Sequence, residues 1–525
     1  MSRIKLLLSN FFVYGLGGII SKLIPILMVP IITRLFPSSF YFGLNDLTTT
    51  IISFFSAIAV MGMYDAMYRM FFEKEDESFK KDICSSAFAF TMIMSTVIFF
   101  IMLLFKDTIS KLFYADKSYG NLVMLAAVSV LIGSTNSIIS APTRMQNKKK
   151  TFLVINTISP IIAYAIAIPM ILSGHYILAL PLAGIVSSVL IELTFVILNK
   201  KWFSLKRINW NHIKSMLKIA IPLLPNFIIY WIFNSSDKVM LANILGTAQE
   251  GIYSVAGKVG QISNLIYTAF AGGWQFFAFS IMRDDDNVKV ISKVFEVLAL
   301  ISLTTTILGT SICKWGMELI FTQEYWSGYY CIPYLYLSPL LLMLFQIGTN
   351  QFLVIKKTWP NVIILSAGAI VNIILNIILI PKIGLEGASL ATFIGYFISI
   401  VLCIIVLKKF KLIEISKRLI VSVILFFVSF AIMRINNLAV YYINIPVAIA
   451  YCLILLLLYR SEIKAVINKF KKKNAMPVEV AEALNNSEET EKEFENDVVI
   501  NEEIIDNSED IKEEVVSKET ETVEN

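Results

Sequence analysis

The sequence predicts an all-α polytopic membrane protein with about 14 transmembrane helices. Hydrophobic residues make up 57% of its 525 residues, and the mean hydropathy of +0.72 exceeds that of soluble globular domains. Apolar runs of about 20 residues recur along the chain, and each is long enough to cross about 30 Å of hydrocarbon as a helix. The runs are continuous and lack the alternation of barrel strands, so they are predicted to be helices.

The predicted spans follow one another along most of the chain. Numbered 1 to 14, they cover Asn10–Ile32, Gly43–Tyr64, Cys84–Phe105, Tyr119–Ala141, Phe152–Leu172, Ile177–Leu198, Leu217–Leu245, Gly251–Phe279, Val290–Cys313, Tyr329–Ile355, Trp359–Ile380, Leu385–Leu407, Leu419–Met433 and Ala439–Leu458. The first apolar stretch follows Arg3 and Lys5 but has no small-residue cleavage site. It is therefore predicted to be an uncleaved span and not a signal peptide.

Lysine and arginine are distributed unevenly between the two sets of loops. With the N-terminus in the cytoplasm, the even-numbered loops and both chain ends hold about 32 of the 45 basic residues, and the outer loops hold about 7. This bias predicts cytoplasmic N- and C-termini. Abundant Ile, Lys and Asn indicate an AT-rich bacterial genome, which does not fix the envelope type. We predict a multi-pass protein of the bacterial cytoplasmic (inner) membrane. Its basic loops are predicted to contact lipid headgroups rather than nucleic acid.

An internal repeat relates two parts of the chain. Thr33–Phe54 resembles Leu241–Ile262, about 208 residues later, and in each a polar turn is followed by a glycine, Gly43 or Gly251, that opens a span. The offset covers six spans, so both halves have the same orientation in the membrane. The predicted divisions are an N-lobe at 1–205 (spans 1–6), a C-lobe at 206–411 (spans 7–12), spans 13 and 14 at 412–460, and a juxtamembrane segment and tail at 461–525.

The end of the chain differs in composition from the rest. Residues 474–525 contain about 18 acidic residues against 3 lysines. Because a segment this polar does not form a packed core, a disordered cytoplasmic tail is predicted after the basic juxtamembrane segment. The five cysteines contain no CxxC pair, which supports neither a metal site nor a disulfide framework. No cofactor is predicted.

Three lysines, Lys22, Lys238 and Lys258, lie within predicted spans. A charge at membrane depth costs roughly 3 kcal/mol or more and usually faces a cavity or a partner. Each lysine lies on a polar face of its helix, and span 2 carries a similar face. These faces are Gly18, Ser21, Lys22 and Pro25 on span 1; Asp46, Thr49, Thr50 and Ser53 on span 2; Asn234, Asp237 and Lys238 on span 7; and Ser254, Lys258, Gln261 and Asn264 on span 8. We expect the four faces to meet between the halves and to form a cavity for an anionic substrate.

Structural roles remain open for the same residues. Serine, threonine and asparagine on helix faces also act as hydrogen-bonding contacts between spans. Lys238 can pair with a carboxylate on another span. Glu192 and Glu296 are open as ion-coupling carboxylates or as lysine partners.

The stretch Ile221–Asp286 resembles spans 7 and 8 of Wzx-type polysaccharide flippases. These proteins belong to the multidrug/oligosaccharidyl-lipid/polysaccharide (MOP) exporter superfamily. The resemblance extends over about residues 1–460, and the acidic tail lies outside it. It is carried by Pro222 with Pro225, the string Asn234–Lys238, the string Gly251–Ala256 with Lys258, the pair Trp274-Gln275, the pair Ser21-Lys22 and the exit Arg34-Leu35-Phe36.

The resemblance implies two six-helix lobes in a V around a cavity, with two extra helices and alternating access. Its cargo would be an undecaprenyl-pyrophosphate-linked oligosaccharide for cell-surface polysaccharide such as O-antigen lipopolysaccharide or capsule. Lys22, Lys238 and Lys258 would compensate the pyrophosphate, while Asn234, Ser254 and Gln261 would line the path of the sugars. Asp46 and Asp237 are the candidates for ion coupling. The partners implied are the lipid-linked oligosaccharide, membrane lipids and other polysaccharide-assembly proteins.

Two other functions compete with the flippase. A multidrug exporter of the same superfamily would need carboxylates for cationic drugs, which three lysines disfavour. A membrane-embedded polysaccharide polymerase or glycosyltransferase would need a sizeable outer loop or an outer acidic pair, and the longest outer loops, Lys106–Ser118 and Lys314–Gly328, are short. We therefore expect a transporter and not an enzyme.

Overall fold

The computed structural model describes residues 23–464. Gaps fall at 147, 269, 271–273, 275–277, 279–280, 282–285, 356–358, 437, 439–440 and 463. Ser21, Lys22 and Gln275 lie outside the described residues, and so does the predicted acidic tail from 465 onward.

Twelve helices in the described part of the chain are long and apolar enough to cross a membrane. They cover Ser39–Val60, Glu77–Leu104, Lys117–Met145, Lys150–Leu172, Ala179–Trp202, Trp210–Leu245, Asn287–Ile320, Ile332–Phe352, Trp359–Ile383, Leu385–Lys409, Lys417–Ile435 and Tyr441–Leu458. They correspond to predicted spans 2–7 and 9–14. Span 1 is represented by Leu23–Leu35, and span 8 begins as Thr247–Gly260. The prediction of an all-α polytopic membrane protein is confirmed.

The helices are apolar on their outer surface, unlike those of a soluble protein, and their interior contains polar residues among the apolar ones. Leu104, Leu172 and Ile197 expose 70% or more of their surface. Asn376 and Ser399, in contrast, are fully buried. Exposed apolar side chains of this kind are stable in contact with lipid. The Ser399 hydroxyl donates to the carbonyl oxygen of Gly395 and the Asn376 amide to the side chain of Asn372, each within its own helix.

Span 7 is interrupted where the sequence places its prolines and its polar string. A 3-10 turn covers Ile221–Leu223, which contains Pro222, and Pro225 lies at the start of the next helical piece, Leu224–Trp231. A π-helical segment then covers Ile232–Ser236. Proline lacks the N–H of an α-helical bond, and a π segment changes the direction of the side chains beyond it. Asp237 and Lys238 follow directly in Asp237–Leu245.

Spans 2 and 8 cross at the two repeat-related glycines. A Cβ atom on Gly43 would collide with the carbonyl oxygen of Thr247, and one on Gly251 would collide with the carbonyl oxygen of Ser39. The two pairs are equivalent, because Ser39 and Thr247, like Gly43 and Gly251, lie 208 positions apart. This reciprocal pattern is what a two-fold relation between the repeats produces. The lobe boundaries at 205/206 and 411/412 stay predictions.

Candidate substrate cavity

Asp46 is the centre of a charged cluster that joins the two repeats. Its side chain is 4% exposed, and Lys238 Nζ lies 2.6 Å from Oδ2. Lys258 Nζ lies 3.5 Å from Oδ1, and the Ser254 hydroxyl is 2.8 Å from Oδ2. The structure thus brings together four of the residues singled out in the sequence, from spans 2, 7 and 8.

The two described lysines occupy different environments. The side chain of Lys238 is 16% exposed and closely bound to Asp46, whereas that of Lys258 is 34% exposed. Coulomb attraction falls with distance, so at 3.5 Å it is about three quarters of its value at 2.6 Å in the same medium. Lys238 therefore has the structural pairing that the sequence left open, and Lys258 is the more available cation.

Glu250 is a member of the cluster that the sequence analysis missed. It is fully buried, and its Oε1 lies 2.5 Å from the Ser254 hydroxyl. A hydroxyl has one proton to donate, so Glu250 and Asp46 share it. The predicted start of span 8 at Gly251 leaves Glu250 in the turn between spans 7 and 8. Glu250 precedes Ser254 by four residues and Lys258 by eight, which puts all three on one helix face. This spacing was the signal in the sequence that could have identified Glu250 as a member of the cluster.

Asp237 belongs to a separate polar group within the second repeat. Its Oδ2 accepts a short hydrogen bond from the Tyr253 hydroxyl and lies 3.4 Å from Thr392 Oγ1. Asn372 Nδ2 donates to the same threonine oxygen over 3.0 Å. The side chains of the two predicted ion-coupling residues, Asp46 and Asp237, therefore have different side-chain partners, although the backbone N–H of Lys238 also donates to Asp237 Oδ1 over 2.9 Å.

Three further residues named from the sequence make no contact with Asp46. Asn234 donates its side-chain amide to the carbonyl oxygen of Tyr230 over 2.7 Å. Glu192 accepts from Thr135 over 2.7 Å, away from the charged cluster. Glu296 is buried and lies 2.5 Å from the Ser416 hydroxyl. In the described part of the chain, neither glutamate partners Lys238 or Lys258.

Two cavities open beside the cluster. The larger, about 400 Å³, is lined by Pro25, Ile26, Val29, Ile32, Phe42, Asn45, Asp46, Thr49, Tyr164, Leu180, Lys258, Gln261, Asn264 and Leu265. The smaller, about 90 Å³, is lined by Phe233, Asn234, Asp237, Lys238, Tyr253, Ser254, Gly257, Lys258, Gln261, Asn264, Leu335, Ser338, Pro339, Leu342, Thr392 and Tyr396. Lys258, Gln261 and Asn264 line both, so the polar face of span 8 borders space on the side of each repeat.

Parts of the chain are similar in sequence to known proteins. A family model described as polysaccharide biosynthesis protein matches residues 31–329. A stretch of 142 residues is 31% identical to an uncharacterized membrane protein of Methanocaldococcus jannaschii, covering 26% of this chain and 28% of that protein's length.

Two groups of solved structures share the fold. The lipid II flippase MurJ, in an inward closed conformation, matches with a TM-score of 0.69 at 17% identity, over 86% of this chain and 100% of that one. An inward-facing multidrug resistance MATE family transporter of the MOP superfamily matches with a TM-score of 0.55 at 13% identity, over 74% and 96%. These findings confirm the resemblance drawn from Ile221–Asp286. At such identities the structures establish the fold alone.

Proposed function

Because the chain belongs to the polysaccharide biosynthesis protein family, we propose that it is a flippase for undecaprenyl-pyrophosphate-linked oligosaccharides. It acts in the bacterial cytoplasmic membrane by alternating access and supplies cell-surface polysaccharide. One observation carries the proposal: Lys258, a part-exposed cation in predicted span 8, lines both cavities beside the charged cluster.

A pyrophosphate suits this cation. It carries about two negative charges, and lysine compensates them as a point charge with three donors. Lys258 is the primary contact because its bond to Asp46 is longer and its side chain is more exposed than that of Lys238. Lys238 holds Asp46 in place. Lys22, on span 1, is proposed as a further cavity cation.

The charged cluster also links the two repeats, and cargo binding can change that link. Asp46 of the first repeat is joined to Lys238 and Ser254 of the second, close to the glycine crossing of spans 2 and 8. The backbone N–H of Ser39 adds a 2.8 Å bond to Glu324. All of these contacts lie on the side predicted to face outward. They hold that side together, so cargo enters from the cytoplasm.

Cargo binding then biases the switch. An anion that takes Lys258 removes one of the two cations from Asp46 and weakens the link between the repeats. A ligand shifts a conformational equilibrium only through such a difference in contacts between the two states. Asp46 stays an ion-coupling candidate, because a proton on its carboxylate would release both lysines. Asp237, with Tyr253 and Thr392 around it, is the second candidate.

The multidrug exporter is the weaker alternative. It is favoured by the fold shared with the MATE transporter. A cationic drug needs an available carboxylate, however, and Asp46 already has two lysines within 3.5 Å.

The test is flipping of undecaprenyl-pyrophosphate-linked oligosaccharide in proteoliposomes. We expect wild-type protein to flip it, Lys258→Ala to lose most of the activity, and Lys258→Arg to keep part of it. Lys111→Ala, at an exposed lysine on a short helix outside the cavities, is the matched control and retains wild-type rates. Equal flipping by Lys258→Ala and wild type, or export of an organic cation in its place, would refute the proposal.

A further inference from the structure

A third cavity lies farther along span 8, between that span and span 10. It encloses about 270 Å³, and the residues that matter in its wall are Tyr267, Phe270, Trp274, Gln346, Thr349 and Asn350. We propose that this neutral cavity binds the sugar rings of the cargo. The inference rests on the proposed function, since it assigns the glycan of a lipid whose pyrophosphate is held at Lys258.

The chemistry of the wall differs from that of the charged cluster. Both cavities beside the charged cluster have Lys258 and an aspartate in their lining. The described residues around the neutral cavity carry no charge and present amides and hydroxyls. Such groups match sugar hydroxyls, which both donate and accept hydrogen bonds, and they provide no compensation for a phosphate.

The two side-chain amides in the wall, Gln346 and Asn350, differ in how many hydrogen bonds they already make. Gln346 Oε1 accepts from the Tyr267 hydroxyl over 2.8 Å, and Tyr230 lies beside the same amide. These contacts fix the orientation of Gln346. The side chain of Asn350, one helical turn away, makes no hydrogen bond to the part of the chain that the structure describes, and the residue is half-buried. Its amide is therefore available to a sugar.

An aromatic pair completes the wall. Phe270 and Trp274 stack with ring centroids 5.0 Å apart and planes inclined by 29°. The face of an aromatic ring is electronegative, so it attracts the C–H groups on the apolar face of a pyranose. Aromatic faces beside neutral amides suit a carbohydrate better than they suit an acidic or a basic ligand.

The neutral cavity and the charged cluster border the same span at different heights. Lys258, Gln261, Asn264, Tyr267 and Phe270 follow one another at steps of three residues. A 3-10 turn at Gln261–Ser263 has three residues per turn, so it keeps Gln261 and Asn264 on one side of the span. At about 1.5 Å per helical residue, Phe270 is about 18 Å from Lys258. A short oligosaccharide attached to a pyrophosphate at Lys258 extends over this distance.

Two lipids that differ only in the sugar separate the glycan contact from the pyrophosphate contact. Binding of undecaprenyl pyrophosphate and of the same lipid bearing a short oligosaccharide, long enough to span the about 18 Å from Lys258 to Phe270, is measured on the full chain in nanodiscs. For wild type we expect the sugar to improve Kd by about tenfold, the effect of one or two net hydrogen bonds. Asn350→Leu and Gln346→Leu abolish this gain but leave the Kd of the sugar-free lipid unchanged, which also shows that the variants fold. Asn121→Leu, at an exposed asparagine outside this cavity, keeps the full gain.

The outcomes separate the two proposals. If the sugar gives wild type no gain, or if both variants keep it, the neutral cavity does not bind the glycan, while Lys258-dependent binding of the sugar-free lipid still supports the flippase. If neither lipid binds in a way that depends on Lys258, the proposed function fails and the glycan assignment fails with it.

Discussion

Replacing Asp46 with asparagine is predicted to destabilise the protein more than removing Lys238, the closer of its two lysine partners. The change leaves the shape of the side chain nearly intact and removes one negative charge. Lys238, only 16% exposed, then keeps its charge without the carboxylate 2.6 Å away. Lys258 loses the same partner, and Ser254 keeps only Glu250 among its two carboxylate contacts.

The magnitude follows from the burial of the pair. Removing one partner of a buried ion pair typically costs about 3–5 kcal/mol, because the other charge remains buried without compensation. Lys238→Met should cost less, about 1–3 kcal/mol, since Asp46 retains Lys258 and the Ser254 hydroxyl and loses one charged hydrogen bond. The double variant Asp46→Asn/Lys238→Met should be more stable than Asp46→Asn alone, because it removes the unpaired buried charge.

The assay is equilibrium unfolding in mixed detergent micelles, followed by tryptophan fluorescence, for wild type, both single variants and the double variant. The expected order of stability is wild type, Lys238→Met, then Asp46→Asn, with the double variant above Asp46→Asn. A Lys238→Met variant as unstable as Asp46→Asn, or a double variant that loses the sum of the two single effects, would refute the reasoning. Either result would mean that Asp46 is not the shared partner of two lysines.

Two further predictions concern the contacts around this cluster. Gly43→Ala and Gly251→Ala each place a Cβ against a backbone carbonyl oxygen and should cost about 1–3 kcal/mol of stability in the same assay. The control Gly133→Ala, whose Cβ meets no atom within 4 Å, should cost nothing. Equal effects of all three variants would contradict the close crossing of spans 2 and 8. Tyr253→Phe removes the hydroxyl bound to buried Asp237 and should cost about 1–3 kcal/mol of stability. The control Tyr68→Phe, at an exposed tyrosine, should leave the stability unchanged. Unchanged stability of Tyr253→Phe would show that Thr392 and the backbone satisfy Asp237.

The layout of the helices was predictable because the bilayer imposes one requirement on every span. Each apolar run must satisfy its backbone as a helix of sufficient length, so hydropathy locates Trp359–Ile383 or Leu385–Lys409 to within a few residues. The breaks in span 7 were also visible, since Pro222 and Pro225 act on the local backbone. The residues of span 8 that line the cavities could be found because their spacing on one helix places them together.

Partners across the fold were not predictable in the same way. The sequence identified Asp46 and Lys238 but not their pairing, because 192 residues separate them and the choice of carboxylate depends on how the helices cross. Glu250 was missed because it follows a turn signal, although its helix begins three residues earlier at Thr247. Thr392 and Asn372 were missed because single polar residues in apolar spans usually form contacts between helices.

The most direct test of the central claim is to locate the bound pyrophosphate. An undecaprenyl pyrophosphate bearing a photoreactive diazirine on its first isoprene unit is crosslinked to the full chain in nanodiscs, and the labelled peptides are mapped. The proposed function predicts labelling at residues 257–264 that is displaced by unmodified lipid and lost in Lys258→Ala but not in Lys111→Ala. Labelling confined to lipid-facing residues such as Leu104 and Ile197, and unchanged in Lys258→Ala, would contradict it.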